Sequence, residues 1–360
     1  MINVLHIDTG LTFRGGQRQV HMLIGSLQHL RLRQYLACPD KSPLPDKAGY
    51  AVEKCFPLSK TNFMRYFERR ELRHFIERHN INIIHAHDSH SHTLATTLVK
   101  KGAPRLVVTR RSSGKIGFGS KTKYRAHNIK YIAISEHIKK RLVDGGVDAD
   151  AVTVINSMID LGRYDYFFKR SSRPVDPLKK IRIISAGAFD RLKGYHDALE
   201  AVSIAARKRN DFEYILYGDG PEKDRLAADI VKYELGSIVS MPGWKSEPAE
   251  YLKEADIFIS TSYTEGLNMS IVEAMASGAA VTATNIPPHC ENIDPERTGL
   301  LFKPGDSEAL AANLMRLIDN RQLRQEITER ARGVAEKYDS HTISRQVYDL
   351  YGEIVAEKIK

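Results

Sequence analysis

Residues 255–285 read ADIFISTSYTEGLNMSIVEAMASGAAVTATN. The apolar run Ile257–Ser260 reads as a buried strand, followed by a polar loop. Ser270–Ser277 carries helical spacing, and Ala280–Ala283 is a second short apolar run. Strand, helix and strand in this order form one βαβ unit with parallel strands.

The same rhythm runs outward in both directions. Downstream, Leu300–Phe302 is a further strand. Upstream, strands are expected at Ile181–Ala186, Tyr214–Tyr217 and Ile238–Met241, with a helix over Tyr195–Arg209. In the first half, strands are expected at Asn3–Asp8, Gln34–Pro39, Ile81–Ala86, Leu106–Thr109, Tyr131–Ser135 and Val152–Asn156. Helices are expected from the Arg14-Gly15-Gly16-Gln17 turn to about Leu30, over Phe63–His79 and over Glu136–Asp144. The segment 165–180, DYFFKRSSRPVDPLKK, breaks the rhythm with two prolines and two serines, and reads as a linker near 165–178. The expected fold is therefore α/β, with two Rossmann-like doubly wound halves in tandem. The carboxyl ends of their strands would face a shared cleft.

The 360 residues fit two domains at roughly 100–200 residues each. A content of 42% hydrophobic and 27% charged residues excludes global disorder. No apolar run approaches the ~18 residues of a membrane span. The start, MINVLHIDTG, lacks the basic and apolar regions of a secretory signal. Three widely spaced cysteines, Cys38, Cys55 and Cys290, fit a reducing compartment, so a cytoplasmic location is expected. The net charge of +10 is unevenly spread: residues 1–150 carry 26 Lys and Arg against 12 Asp and Glu. Arginines 65, 69, 70, 73 and 78 crowd the 63–79 helix, and the 105–125 segment is basic without an acid. Such a half suits an anionic membrane surface, at about 1 kcal/mol per basic residue near it. Interleaved aromatic platforms are missing, so nucleic acid is not an expected partner.

Within the 255–285 stretch, Glu265 and Glu273 stand eight residues apart across a loop and a helix start. The free N–H groups of Met269–Ile271 would point at the same space, making an anion cradle beside a carboxylate that can accept sugar hydroxyls. The run His85-Ala-His87-Asp88-Ser-His90-Ser-His92 has metal-ligand residue types but no helical HxxxH pair. It is read as packing or surface at a strand end, without metal, with a cleft role for His87 or Asp88 as the alternative; Arg110 is a further candidate cleft residue. Asp148-Ala-Asp150 lies in a loop before a strand rather than after one, and is not read as a metal site.

In its context this stretch resembles the E-x7-E region of retaining, nucleotide-sugar-dependent glycosyltransferases of family four, which have the GT-B fold. Other segments agree in order: Gly15-Gly16, INSMID at 155–160, GAFDRLKG at 187–194, GDGPE at 218–222, Gly243-Trp244, Glu291, and TGLLF at 298–302 with Pro304-Gly305-Asp306. The resemblance implies residues 1–167 as an acceptor-binding domain and 168–340 as a nucleotide-sugar domain. The 341–360 helix would cross back to the first domain, and closure about the linker would bring Lys193 and Glu265 toward Gly15-Gly16. It implies that Glu273 holds the ribose hydroxyls and that Glu265 contacts the donor sugar. Backbone of Gly266, Leu267, Asn268, Met269 and Ser270, with Gly15, Gly16 and Gly187, would line the donor. Lys193 would neutralise the departing diphosphate, so no metal ion or other cofactor is implied. Three positions depart from the family: Ala188 replaces the usual arginine, with Arg191 as its candidate substitute; Pro287-Pro288 replaces two glycines; Arg110-Arg111 stands where relatives place a histidine. The implied reaction is retaining transfer from a nucleoside-diphosphate sugar, UDP by family frequency. The acceptor would be lipid-linked or of lipopolysaccharide type, at the inner face of a membrane. The alternative is a GT-B epimerase, or a transferase acting on a soluble acceptor.

Overall fold

The computed structural model describes residues 1–59, 65–99, 104–114, 116, 121–124, 129–171 and 180–357. The start of the expected 63–79 helix, part of the basic 105–125 segment, the second half of the expected linker and the last three residues lie outside these. The chain divides into two compact units, 1–159 with 340–360, and 160–339.

The first unit holds a sheet of seven strands: β1 (Ile2–Ile7), β2 (Leu32–Pro39), β3 (Lys54–Leu58), β4 (Ile83–Ala86), β5 (Arg105–Arg110), β6 (Ile129–Ala133) and β7 (Val152–Val154). Their order is β3-β2-β1-β4-β5-β6-β7, every pairing parallel. The second unit holds β8 (Ile181–Ala186), β9 (Phe212–Tyr217), β10 (Val239–Gly243), β11 (Ile257–Ser260), β12 (Ala280–Thr284) and β13 (Leu300–Phe302), in the order β10-β9-β8-β11-β12-β13, again all parallel. Parallel strands need helical crossovers that cover both faces, so inner strands are shielded: β4, β11 and β12 are buried along their whole length, whereas the edge strands β3 and β10 are not.

Strand order reverses direction beside β1 and β4 in one sheet, and beside β8 and β11 in the other. In open α/β sheets ligands bind outside the carboxyl ends of the strands at such switch points. These ends hold Asp8, His87 and Asp88 in the first unit, and Gly187, Lys193 and Glu265 in the second.

The last helix, Ser340–Ala356, belongs to the first unit, as the fold reading expected. Its Ile343, Val347, Leu350, Tyr351 and Ile354 are buried with Ile2, Val4, Leu23, Leu27 and Ile83. Each of those aliphatic side chains stabilises the docking by about 1.5–3 kcal/mol. The N–H of Ser340 donates to the Ile159 carbonyl at 2.8 Å, tying the returning chain to the point where the first unit ends.

The segment read as a linker begins differently. Residues 162–171 form a helix, and Asp165, expected to open the linker, sits in its first turn. Tyr164 is fully buried, and the Arg332 guanidinium lies 5.1 Å from the Phe168 ring centroid, so a buried aromatic and a cation–π contact anchor the helix. Gly15 and Gly16 are likewise the first turn of the Gly15–Leu27 helix rather than a loop before it. Open space faces both: a Cβ on either would meet nothing within 4 Å. In the Asp148-Ala-Asp150 run, Asp148 accepts from the Asp150 N–H and caps a 3-10 turn.

Candidate functional site

In the second unit, the loop after β8 turns back on the end of β11. Gly194 makes this possible. Its φ is +62°, and a Cβ there would lie 2.3 Å from the Thr261 carbonyl oxygen, so only glycine allows the approach. Thr261 Oγ1 donates to the Lys193 carbonyl at 2.7 Å, and the Tyr263 N–H to the Leu192 carbonyl at 2.8 Å. The lysine is thereby held across from the loop after β11. Its Nζ lies 2.5 Å from Glu265 Oε1, a pair of residues 72 apart in sequence. Ser262 Oγ donates to the same oxygen at 2.7 Å, and Asn268 Nδ2 approaches it at 3.3 Å. Three donors on Oε1 leave Oε2 as the oxygen open to a ligand hydroxyl.

The Met269–Ser277 helix begins directly behind this pair. Its N-cap residue, Asn268, makes no side-chain capping bond, and the first turn carries no acidic residue. The leading N–H groups and the helix dipole therefore favour negative charge here. Glu273, one turn in, is buried at 3% exposure, as are Leu267 and Asn268, while Gly266, Met269 and Ser270 are half-buried. Gly187 lies under the Tyr195 hydroxyl, 2.6 Å from where a Cβ would stand. Burial pushes the Tyr195 phenol well up, with Tyr214 and then Glu265 adding to it. Arg191 is exposed on the turn before Lys193, where its carbonyl accepts from the Gly194 N–H at 3.3 Å; its side chain does not join the pair.

In the first unit, the strand-end histidines are buried and meet a third from β1. His6 and His85 are register partners on adjacent strands, and the ring nitrogens of His6, His85 and His87 lie within 4.8 Å of one another. Their hydrogen bonds fix the tautomers. Gln34 Nε2 donates to the Ile24 and Ala51 carbonyls, so its Oε1 faces His6 Nε2 at 3.2 Å and requires a proton there. His6 Nδ1 then accepts from His87 Nε2 at 3.0 Å. His85 lies between Tyr351 Oη at 2.5 Å and Thr109 Oγ1 at 2.7 Å. A cation would have to displace these bonds. Burial keeps all three rings neutral: His6 is lowered to about 4, and His85 and His87 well below the usual imidazole range.

Two first-unit candidates turn out to build the fold. Asp88 caps the Ser89–Thr96 helix, accepting from the N–H groups of His90 and Ser91, and its carboxylate also takes the N–H and hydroxyl of Thr9 at 2.7 and 2.8 Å. Arg110 spends its guanidinium on the Ser112 and Gly114 carbonyls and the Tyr124 hydroxyl. Its neighbour Arg111 reaches the strand end instead, donating to the His87 carbonyl at 3.1 Å.

Residues 168–334 match the family described as Glycosyl transferases group 1, and residues 13–163 match Glycosyltransferase Family 4. The chain belongs to the family-four glycosyltransferases. Among relatives of this chain is WcaL of Salmonella typhimurium, named for colanic acid biosynthesis, 30% identical over 61% of this chain and 55% of its own length. Another is the amylovoran biosynthesis glycosyltransferase AmsK of Erwinia amylovora, 28% identical over 62% and 56%. The match thus spans about half the length of these relatives. Among solved structures, a glycosyltransferase from Rickettsia africae superposes with a TM-score of 0.83 at 21% identity, covering 99% of both chains. HepE of Anabaena, solved with UDP and glucose, gives 0.82 at 18% identity, over 98% of this chain and 100% of that one. The fold is GT-B.

Sequence reading of the chain missed Ser262, His6 and His289. Ser262 stands three residues before Glu265 and could have been found from that spacing. His6 sits in an apolar strand with no local mark. His289 is fully buried beside Asn268 and was passed over between Pro288 and Glu291.

Proposed function

We propose that this chain transfers a sugar from a nucleoside diphosphate, UDP, to a lipid-linked or lipopolysaccharide-type acceptor, with retention of the anomeric configuration and without a metal ion. The observation that carries the reading is the Lys193–Glu265 pair at 2.5 Å, set beside an uncapped helix N-terminus. As the glycosidic bond breaks, about two negative charges build on the leaving diphosphate, and an ammonium with helix N–H donors stabilises them. Lys193 is paired with Glu265. Donor binding would draw it onto the diphosphate, leaving Glu265 for the sugar hydroxyls, while Glu273 takes the ribose. The retaining route proposed is front-face attack, with the leaving diphosphate as base. HepE, with its bound UDP and glucose, and WcaL and AmsK, named for colanic acid and amylovoran biosynthesis, support the donor and acceptor classes. No helix among the described residues is long and apolar enough to cross a membrane. Access to a lipid-borne acceptor would come through the basic first unit, docked on anionic lipid from the cytoplasmic side.

The test is thermal stabilisation by a panel of nucleoside diphosphates and nucleotide sugars, with and without EDTA, on the wild type and Glu273→Ala. A ligand at a hundredfold excess over its Kd stabilises by about 2.7 kcal/mol. Stabilisation by one nucleotide family, lost in Glu273→Ala and indifferent to EDTA, is the expected result. No stabilisation by any nucleotide overturns the donor site. Retention is read from the anomeric proton of the product, and membrane docking from co-flotation with phosphatidylglycerol vesicles that weakens with salt.

A further inference from the structure

His289 takes no part in the chemistry above, yet it is buried against the residues that perform it. It follows β12 in the short Pro287–Cys290 helix, where the family has two glycines and this chain has Pro287-Pro288. His289 Nδ1 lies 2.9 Å from the Thr284 carbonyl oxygen and 3.1 Å from Thr284 Oγ1. A carbonyl oxygen only accepts, and the Thr284 hydroxyl already donates to the Ser262 carbonyl at 2.6 Å. The ring proton must therefore be on Nδ1, and Nε2 of the neutral ring holds a lone pair. Burial lowers the ring to about 4, so it is neutral at working pH.

That lone pair faces Asn268 Nδ2 at 3.3 Å. It accepts an amide N–H and repels an amide oxygen, so together with the carboxylate of Glu265 it holds the Asn268 side chain nitrogen-inward. The amide nitrogen then reaches Ser260 Oγ at 2.8 Å and Glu265 Oε1 at 3.3 Å. Asparagine at a helix N-cap ordinarily bonds the first turn of its own helix. Here it makes no such bond, and its amide is given to Glu265 instead.

We propose that His289 is a positioning residue for Glu265: through the Asn268 amide it commits Glu265 Oε1 to protein donors and leaves Oε2 for a donor-sugar hydroxyl. This rests on the reading of Glu265 as a donor-sugar contact. Pro287 and Pro288 stiffen the entry to the turn that carries the imidazole, restricting where the ring can lie.

Three variants separate positioning from mere packing. In His289→Gln the terminal amide oxygen reaches the place of Nε2 and can accept from Asn268. In His289→Asn the shorter amide keeps the bond to the Thr284 carbonyl but withdraws the acceptor that His289 Nε2 offers Asn268, leaving only Ser260 Oγ and Glu265 Oε1. His289→Leu keeps neither. Each is measured for melting temperature, for Kd of UDP and of UDP-glucose (or the nucleotide sugar selected by the shift panel), and for kcat and KM. The expected result is at least a tenfold loss in kcat and in nucleotide-sugar affinity for Asn and Leu, UDP affinity within twofold of wild type, and recovery to within about threefold for Gln. Equal behaviour of Gln and Asn, or parallel loss of UDP affinity and folding in all three, overturns the proposal. A second measurement does not depend on turnover: the long-range nitrogen–proton spectrum of the wild type should show His289 as the Nδ1–H tautomer, unchanged down to pH 5. An Nε2–H tautomer overturns the proposal even if the chain is fully active. A wild type that binds no nucleotide refutes the functional reading instead, and the tautomer still decides whether His289 sets Asn268.

Discussion

The buried histidine network of the first unit makes a quantitative demand on stability. His6 is fully buried, neutral and lowered to about 4 by desolvation, whereas in the unfolded chain it titrates near 6.5. Between these values the unfolded state binds a proton that the folded state refuses, so stability falls as pH falls. At pH 5 the linkage from His6 alone amounts to about 2 kcal/mol, against a total of about 5–15 kcal/mol for a typical domain. His85 and His87 act in the same direction. Global melting is a poor probe for two units, and the single tryptophan, Trp244, lies in the second. Hydrogen exchange followed by mass spectrometry on peptides covering β1 and β4 isolates the right region. Between pH 7 and pH 5 the opening free energy of those peptides should fall by about 2 kcal/mol more in the wild type than in His6→Asn, after correction for intrinsic exchange. Whatever constant amount the substitution costs drops out of that comparison. Equal pH dependence in the two proteins, or a His6 resonance titrating near 6.5, refutes the reasoning.

Gly194→Ala should lower stability by about 1–2 kcal/mol for the left-handed backbone alone. The contact with the Thr261 carbonyl would displace Lys193 as well, so turnover should fall more than nucleotide affinity, and an unchanged melting temperature refutes the close approach. His196 contacts Asp229 and lies 3.2 Å from Glu222; burial opposes its charge, but these two carboxylates raise it overall, and Glu222 is lowered in turn. The clamp therefore contributes most between the lowered carboxyl and the raised imidazole. Its benefit relative to His196→Gln should shrink as pH rises from 6 to 9, and a benefit constant over that range counts against it. Asp88→Ala should destabilise by about 0.5–2 kcal/mol through the lost cap, whereas Asp88→Asn, which can still cap, should transfer sugar within twofold of wild type. A tenfold loss of transfer in Asp88→Asn at unchanged melting temperature would make Asp88 a ligand contact instead.

What could be read from the amino-acid order alone was whatever lies close along the chain. The βαβ rhythm, the eight-residue interval from Glu265 to Glu273 and the docking face of the last helix are all local patterns, because strand and helix periodicities repeat over a few residues. The two prolines just downstream in sequence hide the Gly162–Ser171 helix, although the buried Tyr164 and the Phe168 ring against Arg332 anchor it. Asp88 was legible as a polar strand end but not as a cap, since Asp serves either role and only the bonds to Thr9, His90 and Ser91 distinguish them. The contacts that matter most to the candidate site lie beyond any local pattern. Lys193 meets Glu265 because β8 and β11 are neighbours in the sheet, although β9 and β10 separate them along the chain. His6 meets His87 because β1 and β4 are neighbours with β2 and β3 displaced to one side. In both units the switch point that opens a crevice for a ligand is also the point where distant strand ends first touch. Residues that act there are therefore the ones whose partners local spacing cannot name, and His289, which reaches Glu265 only through Asn268, lies one step further from legibility than Lys193.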